Sequence, residues 1–275
     1  MGVDFAFLDS GTGGIPYMLS LKEKVPAASC VYLGDTAHFP YGQKSPQEAA
    51  SAAAQAVDLI VKNWKPKTLV VACNTISVTA LDDLRSRFPS LPIVGTVPAV
   101  KLAAKVTANK RVGLLATNAT VGHPYSEKLI KDFASDCLVF KRGDPDLIEF
   151  IEKKFFAATK EERLAAVRPA VDFFAKNECD TIILGCTHFT HVADDIQEAA
   201  GPLVRVVDSR EGVANQALRV FSGSAESFSG KNSFAKEENL PADKSFFFTA
   251  ASAEQEKEYR AMCNKFDIPF CGLIK

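Results

Sequence analysis

Seven short apolar runs recur along the chain, and stretches with helical features lie between them. The 275 residues are 47% hydrophobic, so the chain can bury a full core. β-prone runs that alternate with helices are typical of βαβ units, whose strands pair in parallel and are covered on both faces. We therefore predict an α/β fold with mostly parallel, doubly wound sheets and strands at residues 4–8, 30–33, 69–72, 93–96, 112–116, 181–185 and 204–207.

The chain contains an internal repeat. Residues 73–75 (Cys-Asn-Thr) follow one apolar run and residues 186–188 (Cys-Thr-His) follow another, while residues 5–11 and 112–118 match at a similar offset. Two copies of one pattern predict two related, pseudosymmetric α/β halves, with the active site in a cleft between them and one cysteine from each side. We expect the first domain at residues 1–97 plus 208–275 and the second at residues 98–207.

Helix starts and the chain's last part carry their own signals. Capping boxes, in which a Ser or Thr and a Glu or Gln three residues later bond each other's backbone N–H groups, begin at Ser45, Thr159 and Ser252. The Ser/Gly-rich residues 222–230 and the charged run up to Lys244 predict a loop. An aromatic run and a final helix follow, and we expect this tail to pack back on the first half.

The composition excludes several classes of partner. Acidic and basic residues are interspersed with a formal net charge of -1, so the chain lacks the basic surface that a nucleic-acid partner requires. No stretch is long enough to span a bilayer, and the first residues lack the basic and long apolar regions of a signal peptide. Seven cysteines without clustered spacing indicate reduced thiols. We predict a cytoplasmic protein without a nucleic-acid or membrane partner.

Cys73 and Cys186 are the candidate catalytic residues. A lone buried cysteine is usually an inert packing residue. Here polar residues follow both thiols where an apolar strand would otherwise continue, at the strand ends where open α/β sheets bind their ligands. Two matched thiols, tuned by nearby donors, can remove a proton from one face of a carbon and return one to the other face. The pair therefore predicts racemisation or epimerisation.

Two polar loops at strand ends are candidate binding segments. Asp9 and Ser10 open a glycine-rich turn, which a tight connection to the next helix would explain by itself. The same turn can hold a carboxylate through its N–H groups and the Ser10 hydroxyl, while Asp9 pairs with an ammonium group or orients a thiol. Tyr41 and Gly42 can offer backbone donors to a second carboxylate. An anion and a cation held side by side describe an amino acid.

The remaining motifs argue against a metal or an organic cofactor. His188 lies two residues from Cys186 and can hold that thiol as a thiolate. A zinc site of Cys73, Cys186 and His188 is the alternative, but its spacing matches none of the paired Cys or His patterns. No dinucleotide-binding or Walker motif is found, and no feature singles out a Schiff-base lysine. We predict neither metal nor cofactor.

Taken together and in this order, four segments resemble the cofactor-independent glutamate racemases: residues 9–14, 35–42, 73–75 and 185–188. Residues 97–99 and 247–249 extend the resemblance almost from end to end of the chain. It implies two pseudosymmetric α/β domains, no pyridoxal phosphate or metal, a homodimer, and supply of D-glutamate for peptidoglycan.

The resemblance also implies residue roles. Cys73 would take the proton from the D-isomer with help from Asp9, and Cys186 would take it from the L-isomer with help from His188. A mid-chain glutamate belongs to the second cysteine's surroundings, and Glu152 is our choice, with Glu149 as the alternative. Substrate holding would fall to Ser10, Tyr41, Gly42, Asn74, Thr75 and Thr187.

The chain departs from the family pattern in three places. Residues 189–191 (Phe-Thr-His) replace the usual Tyr-Pro-Leu and add the imidazole of His191, residues 143–145 (Gly-Asp-Pro) replace the usual Cys-Pro, and Arg210-Glu211 replaces small residues. A racemase for aspartate or another amino acid on the same scaffold is the closest alternative, but residues 76–78 and His188 favour glutamate over aspartate. A one-cysteine decarboxylase is disfavoured by the second thiol, and a non-catalytic amino-acid-binding protein stays open.

Overall fold

The computed structural model describes residues 2–226 and 244–275, with side chains described up to residue 223 in the first range. The chain forms two compact units, Met1–Thr96 with Arg210–Lys275, and Val97–Ser209. Each unit is built on one parallel sheet. Among the described residues, no helix has both the length and the apolar character needed to cross a bilayer.

The strands are β1 (Phe5–Asp9), β2 (Cys30–Gly34), β3 (Thr68–Val71), β4 (Ile93–Gly95), β5 (Arg111–Ala116), β6 (Leu138–Gly143), β7 (Thr181–Leu184), β8 (Arg205–Val207), β9 (Lys244–Phe248) and β10 (Phe270–Leu273). The helices are α1 (Ile15–Lys24), α2 (Pro46–Trp64), α3 (Asn74–Arg87), α4 (Val100–Val106), α5 (Asn118–Gly122), α6 (Pro124–Phe133), α7 (Pro145–Lys153), α8 (Lys160–Lys176), α9 (Ala193–Ala200), α10 (Arg210–Glu226) and α11 (Ala253–Lys265). Short 3₁₀ turns lie at Thr36–His38, Tyr41–Gln43 and Thr187–Val192.

The first unit has a six-stranded parallel sheet in the order β10-β9-β2-β1-β3-β4. Strands β1, β2 and β3 are buried along their whole length, as expected for a sheet covered on both faces. Alternate residues such as Ala6 and Leu8 pack with the apolar side of α2 and α3. On the other face, the ring of Phe5 lies 4.9 Å from that of Phe221 in α10. The core therefore consists of two layers, one on each face of the sheet.

The second unit repeats this topology with four strands, in the order β6-β5-β7-β8. Its apolar core joins Val100 and Ala103 of α4 to Val112 and Leu114 of β5 and to Ile183 of β7. Since β2-β1-β3-β4 and β6-β5-β7-β8 are the same arrangement, the repeat read from the sequence is also a repeat of strand order. The predicted α/β class with two related halves is confirmed.

The predicted elements are largely confirmed. All seven predicted strands are present, with ends that shift by at most one residue. The capping boxes at Ser45, Thr159 and Ser252 are formed. The tail returns to the first unit, where β9 pairs in parallel with β2. Strands β6, β9 and β10 were not among the predicted strands. β6 and β10 lie at sheet edges, are partly exposed and lack a continuous buried apolar run, and β9 was recognised only as an aromatic run.

The predicted loop at residues 222–230 is wrong at its start. Helix α10 continues through Glu226, so residues 222–226 are helical. Phe221 anchors this helix on Phe5, and adding a turn to a helix that already exists costs far less than nucleating one. The rest of the predicted loop, residues 227–243, lies outside the described residues.

Asp180 stabilises the second unit at the start of β7. Its carboxylate accepts hydrogen bonds from the Thr107 hydroxyl at 2.6 Å and from the backbone N–H groups of Ala108 and Asn109 at 2.7 and 2.8 Å. The Thr181 hydroxyl adds a fourth at 2.9 Å. Partial burial pushes the Asp180 pKa upward, but these hydrogen bonds pull it further down, so the pKa lies below its usual value.

We expect the substitution Asp180→Asn to lower the free energy of unfolding by about 2 kcal/mol at pH 7, because an amide replaces the carboxylate that accepts four hydrogen bonds. The folded-state pKa lies below the unfolded value of about 3.9, so the carboxylate stabilises above that pH. This contribution is lost as the pH falls through the folded-state pKa. The difference in unfolding free energy between the variant and the wild type should therefore disappear at low pH. Urea unfolding at several pH values measures it, with the exposed Asp172→Asn as control. A gap that does not depend on pH would contradict the account.

Candidate active site

The two cysteines occupy equivalent places in the two sheets. Cys73 lies just beyond β3 and at the start of α3, and Cys186 lies just beyond β7 and before a 3₁₀ turn. β3 and β7 hold the same place in the shared strand order. Both residues are 5% exposed, so each thiol is largely withdrawn from solvent. The carboxyl end of a parallel strand is where α/β proteins commonly place reactive groups.

Ser10 links Cys73 to Asp9. The Cys73 Sγ lies 4.0 Å from the Ser10 Oγ, and the Ser10 hydroxyl donates to the Asp9 Oδ1 at 3.2 Å. The same Asp9 oxygen accepts the Gly11 N–H at 2.9 Å. Asp9 is fully buried, so its carboxylate both closes the turn after β1 and ends a chain of polar groups that begins at the thiol.

The glycine-rich turn is held from β2 by Tyr32. The Tyr32 hydroxyl accepts the Gly14 N–H at 2.9 Å and donates to the Gly11 carbonyl at 2.9 Å. A Cβ added at Gly14 would lie 2.7 Å from the Ala72 Cβ and 2.9 Å from the Tyr32 oxygen. The glycine is therefore required by close approach to its neighbours, and the turn presents Ser10 in one fixed position.

Asn74 is the clearest sign of a ligand in the first unit. It begins α3 next to Cys73 and is 1% exposed, yet neither atom of its side-chain amide has a hydrogen-bond partner among the described residues. Buried amides are almost always hydrogen-bonded, so an unsatisfied one beside a candidate catalytic thiol indicates a missing partner. Thr75 follows it and is also buried.

Tyr41 and Gly42 lie in the 3₁₀ turn after β2, and the Tyr41 phenol is directed inward. Its hydroxyl donates to the Asp35 Oδ2 at 2.5 Å. Burial raises the Tyr41 pKa well above its usual value, and the negative charge of Asp35 raises it further, with smaller effects of Cys73 and Asp9. The phenol therefore stays protonated and hydrogen-bonded to Asp35. Gly42 is partly exposed.

The second thiol has a different set of neighbours. The Cys186 Sγ lies 3.8 Å from the His188 Nδ1, and the His188 Nε2 lies 2.9 Å from the Glu152 Oε2. The side chains of His188 and Glu152 are only 2% and 1% exposed. Because a carboxylate only accepts, Nε2 carries the proton and Nδ1 is left to accept a proton from the thiol. The adjacent Thr187 is buried as well.

Glu152 and Glu149 are separated clearly by their contacts. Both lie on α7, but Glu149 is exposed and pairs with the Lys153 Nζ at 2.6 Å. Of these two glutamates, Glu152 is the one that reaches His188. His191, one of the departures from the family pattern, packs against two aromatic side chains. Its ring centroid lies 5.9 Å from that of Phe155 and 5.3 Å from that of Phe156.

Sequence reasoning did not select Asp35 or Thr117. Asp35 follows β2 and accepts the Tyr41 hydroxyl, and Thr117 follows β5 as Ser10 follows β1. The Thr117 hydroxyl caps α5 by accepting the Thr120 N–H at 3.0 Å. The internal repeat was the available signal for Thr117, whereas Asp35 was noted only as the first residue of the 35–42 segment, without a role.

The candidate residues fall into two groups. The first unit brings together those around Cys73, namely Asp9, Ser10, Tyr41, Gly42, Asn74 and Thr75, and the second those around Cys186, namely Thr187, His188 and Glu152. Within the part of the chain that the structure describes, no group of three or more His, Cys, Asp or Glu side chains is arranged to hold a metal ion. Each group contains a thiol and a side chain that can accept or donate a proton. Such pairs can act as general acid and base toward a carbon acid.

Known proteins of similar sequence are named as amino-acid racemases. Residues 16–217 match the protein family described as Asp/Glu/Hydantoin racemase. A glutamate racemase of Treponema pallidum is 40% identical over 216 residues, which are 78% of this chain and 80% of that protein. One of Actinobacillus pleuropneumoniae is 35% identical over 263 residues, 95% of this chain and 89% of that protein.

A solved structure agrees over nearly the whole length. The crystal structure of Escherichia coli glutamate racemase, in complex with L-glutamate and the activator UDP-MurNAc-Ala, matches with a TM-score of 0.84 and 28% identity, covering 99% of this chain and 98% of that one. The family match spans well over half of the chain, and the identities to relatives hold over most of it. This chain belongs to the Asp/Glu/Hydantoin racemase family.

Proposed function

We propose that this protein is a cofactor-independent glutamate racemase that interconverts L- and D-glutamate. The observation that carries the proposal is the pair of buried thiols at equivalent strand ends, each with its own acid–base neighbours. The relatives named glutamate racemase support glutamate as the substrate, because they match the chain over most of its length.

In the proposed mechanism each thiol serves one face of the α-carbon. For the D-isomer, the Cys73 thiolate takes the α-proton as the C–H bond breaks, and the Cys186 thiol gives its proton to the opposite face. For the L-isomer the two thiols exchange roles. Asp9 acts on Cys73 through the Ser10 hydroxyl, and His188, held by Glu152, acts on Cys186.

Substrate holding is assigned to the polar groups near the thiols. The Asn74 amide has no partner among the residues described and can bond to a substrate carboxylate as well as to an ammonium group. Ser10, Thr75 and Thr187 offer hydroxyl groups, and the 3₁₀ turn at Tyr41 and Gly42 offers backbone donors. Fixed donors of this kind stabilise charge that develops at the carboxylate when the α-proton leaves.

The test is circular dichroism of the purified protein with L-glutamate and, separately, D-glutamate in D2O without added cofactor. We expect optical activity to vanish from both isomers, with deuterium entering at the α-carbon. Racemisation of aspartate but not glutamate would keep the mechanism and overturn the substrate. Inactivity toward both would overturn the enzyme assignment and favour an amino-acid-binding protein.

Further parts of the proposal concern the cell and the assembly. We infer that the enzyme works in the cytoplasm, supplies D-glutamate for peptidoglycan, and forms a homodimer, and that residues 1–97 plus 208–275 and residues 98–207 are its domains. Light scattering at several concentrations tests the homodimer, and a mass of one chain throughout would overturn it.

A further inference from the structure

The Asp35 carboxylate contacts three side chains, two from its own loop and one from the C-terminal part of the chain. Its Oδ2 accepts the Tyr41 hydroxyl at 2.5 Å and lies 2.8 Å from the His38 Nδ1. Its Oδ1 accepts the Thr249 hydroxyl at 2.9 Å. Asp35 is 1% exposed, so these bonds take the place of water around its carboxylate.

Thr249 connects β9 to the loop that carries Tyr41. It follows β9, and its Oγ1 also accepts the Ala37 N–H at 2.9 Å, within the 3₁₀ turn Thr36–His38. The Ala250 N–H donates to the Thr36 hydroxyl at 2.9 Å, beside it. Residues 249 and 250 thus hold both the carboxylate and the backbone of the loop at residues 36–43.

The docking of β9 itself does not depend on these contacts. Five residues of β9 pair with β2 in continuous register. The rings of Phe246 and Phe248 are fully buried and lie within 5.4 and 5.3 Å of the Tyr259 ring. Removing the Thr249 hydroxyl, just beyond the strand, therefore leaves the strand in place and takes away two of the hydrogen bonds that hold the loop.

We propose that Thr249 is a positioning residue for the racemase reaction, whose hydroxyl fixes the 36–43 loop through Asp35 and Ala37. The inference rests on the proposed function, in which Tyr41 and Gly42 of this loop help to hold the substrate. Thr249 touches neither substrate nor thiol in this assignment. A loosened loop weakens substrate holding more than the proton transfers, because the thiols and their partners lie on other segments.

The experiment compares Thr249→Val, which removes the hydroxyl at nearly constant shape, with Thr249→Ser, which keeps it. The matched control is Ser245→Ala, because Ser245 is a buried hydroxyl of β9 without a hydrogen-bond partner among the described residues. We expect Thr249→Val to raise KM for both isomers about tenfold, with kcat within about threefold of wild type. Thr249→Ser and Ser245→Ala should stay near wild type, and melting temperatures should agree within about 5 °C.

Amide hydrogen exchange gives a readout that needs no activity. The Ala37 amide and its neighbours in residues 36–43 should exchange faster in Thr249→Val alone. Unchanged exchange there, unchanged KM, or failure of Thr249→Ser to restore wild-type behaviour would each overturn the inference. A wild-type protein that leaves glutamate unchanged would overturn the proposed function instead, and the exchange data would still decide whether Thr249 holds the loop.

Discussion

Cys73→Ser and Cys186→Ser are each expected to reduce racemisation of glutamate by about 10³-fold or more. A hydroxyl is a much weaker acid than a thiol, so serine cannot become the base that takes the α-proton near neutral pH. Because the enantiomers have equal free energy, kcat/KM must fall equally in the two directions. Loss of optical activity is therefore measured from both isomers by circular dichroism.

Isotope exchange distinguishes the two thiols where kcat/KM cannot. In D2O, Cys73→Ser should still exchange the α-proton of L-glutamate slowly, because Cys186 is intact, and Cys186→Ser should do so with D-glutamate. The matched control is Cys179→Ser, since Cys179 is a buried thiol before β7 and Cys186 follows that strand. Burial raises the pKa of Cys179 to about 11, which keeps it protonated and inert. Exchange with the opposite isomers would reverse the assignment of the faces.

The fold was predictable where burial is continuous. Strands such as β3 and β7 are covered on both faces, so their sequences are unbroken apolar runs. β6 lies at an edge and carries Lys141 and Arg142, and its pattern does not stand out from a loop. The repeated strand order nevertheless required a strand there as the counterpart of β2.

The candidate site was predictable where residues are adjacent in sequence to a thiol. Asn74 and His188 were found in this way. The preference for Glu152 over Glu149 came from the family resemblance and not from a local pattern, since both lie on α7 and only the path of the chain brings Glu152 to His188. The hydrogen bond between Asp35 and Thr249 joins residues separated by 214 positions, and no local sequence pattern predicts it.

The two thiols are equivalent in position but not in surroundings. Asp9 has Ala116 at the corresponding place in the second unit, where each residue ends its strand. The second unit instead supplies an imidazole with a buried carboxylate behind it. One thiol thus lies next to a hydroxyl that bonds a turn carboxylate, and the other lies next to a histidine. The two proton transfers should therefore respond differently to substitution.

Glu152→Gln should lower kcat/KM by about 100-fold in both directions with little change in stability. The Gln amide oxygen can still accept the proton on the His188 Nε2, so the fold is retained. It carries no charge, however, and cannot stabilise the imidazolium that forms when Nδ1 takes the Cys186 proton. Proton transfer at the Cys186 face then becomes slower relative to transfer at the Cys73 face.

Substrate isotope effects measure this imbalance. In Glu152→Gln, the effect of an α-deuterium on kcat/KM should increase for L-glutamate, whose proton goes to Cys186, and decrease for D-glutamate. Glu149→Gln is the control from the same helix, because Glu149 is exposed and bonded to Lys153, and it should stay within about twofold of wild type. If Glu149→Gln were the damaging change, or if both isomers shifted alike, the buried His188–Glu152 pair would not be the group that serves Cys186. An increase for L-glutamate with a decrease for D-glutamate ties the carboxylate to one thiol and one face of the α-carbon.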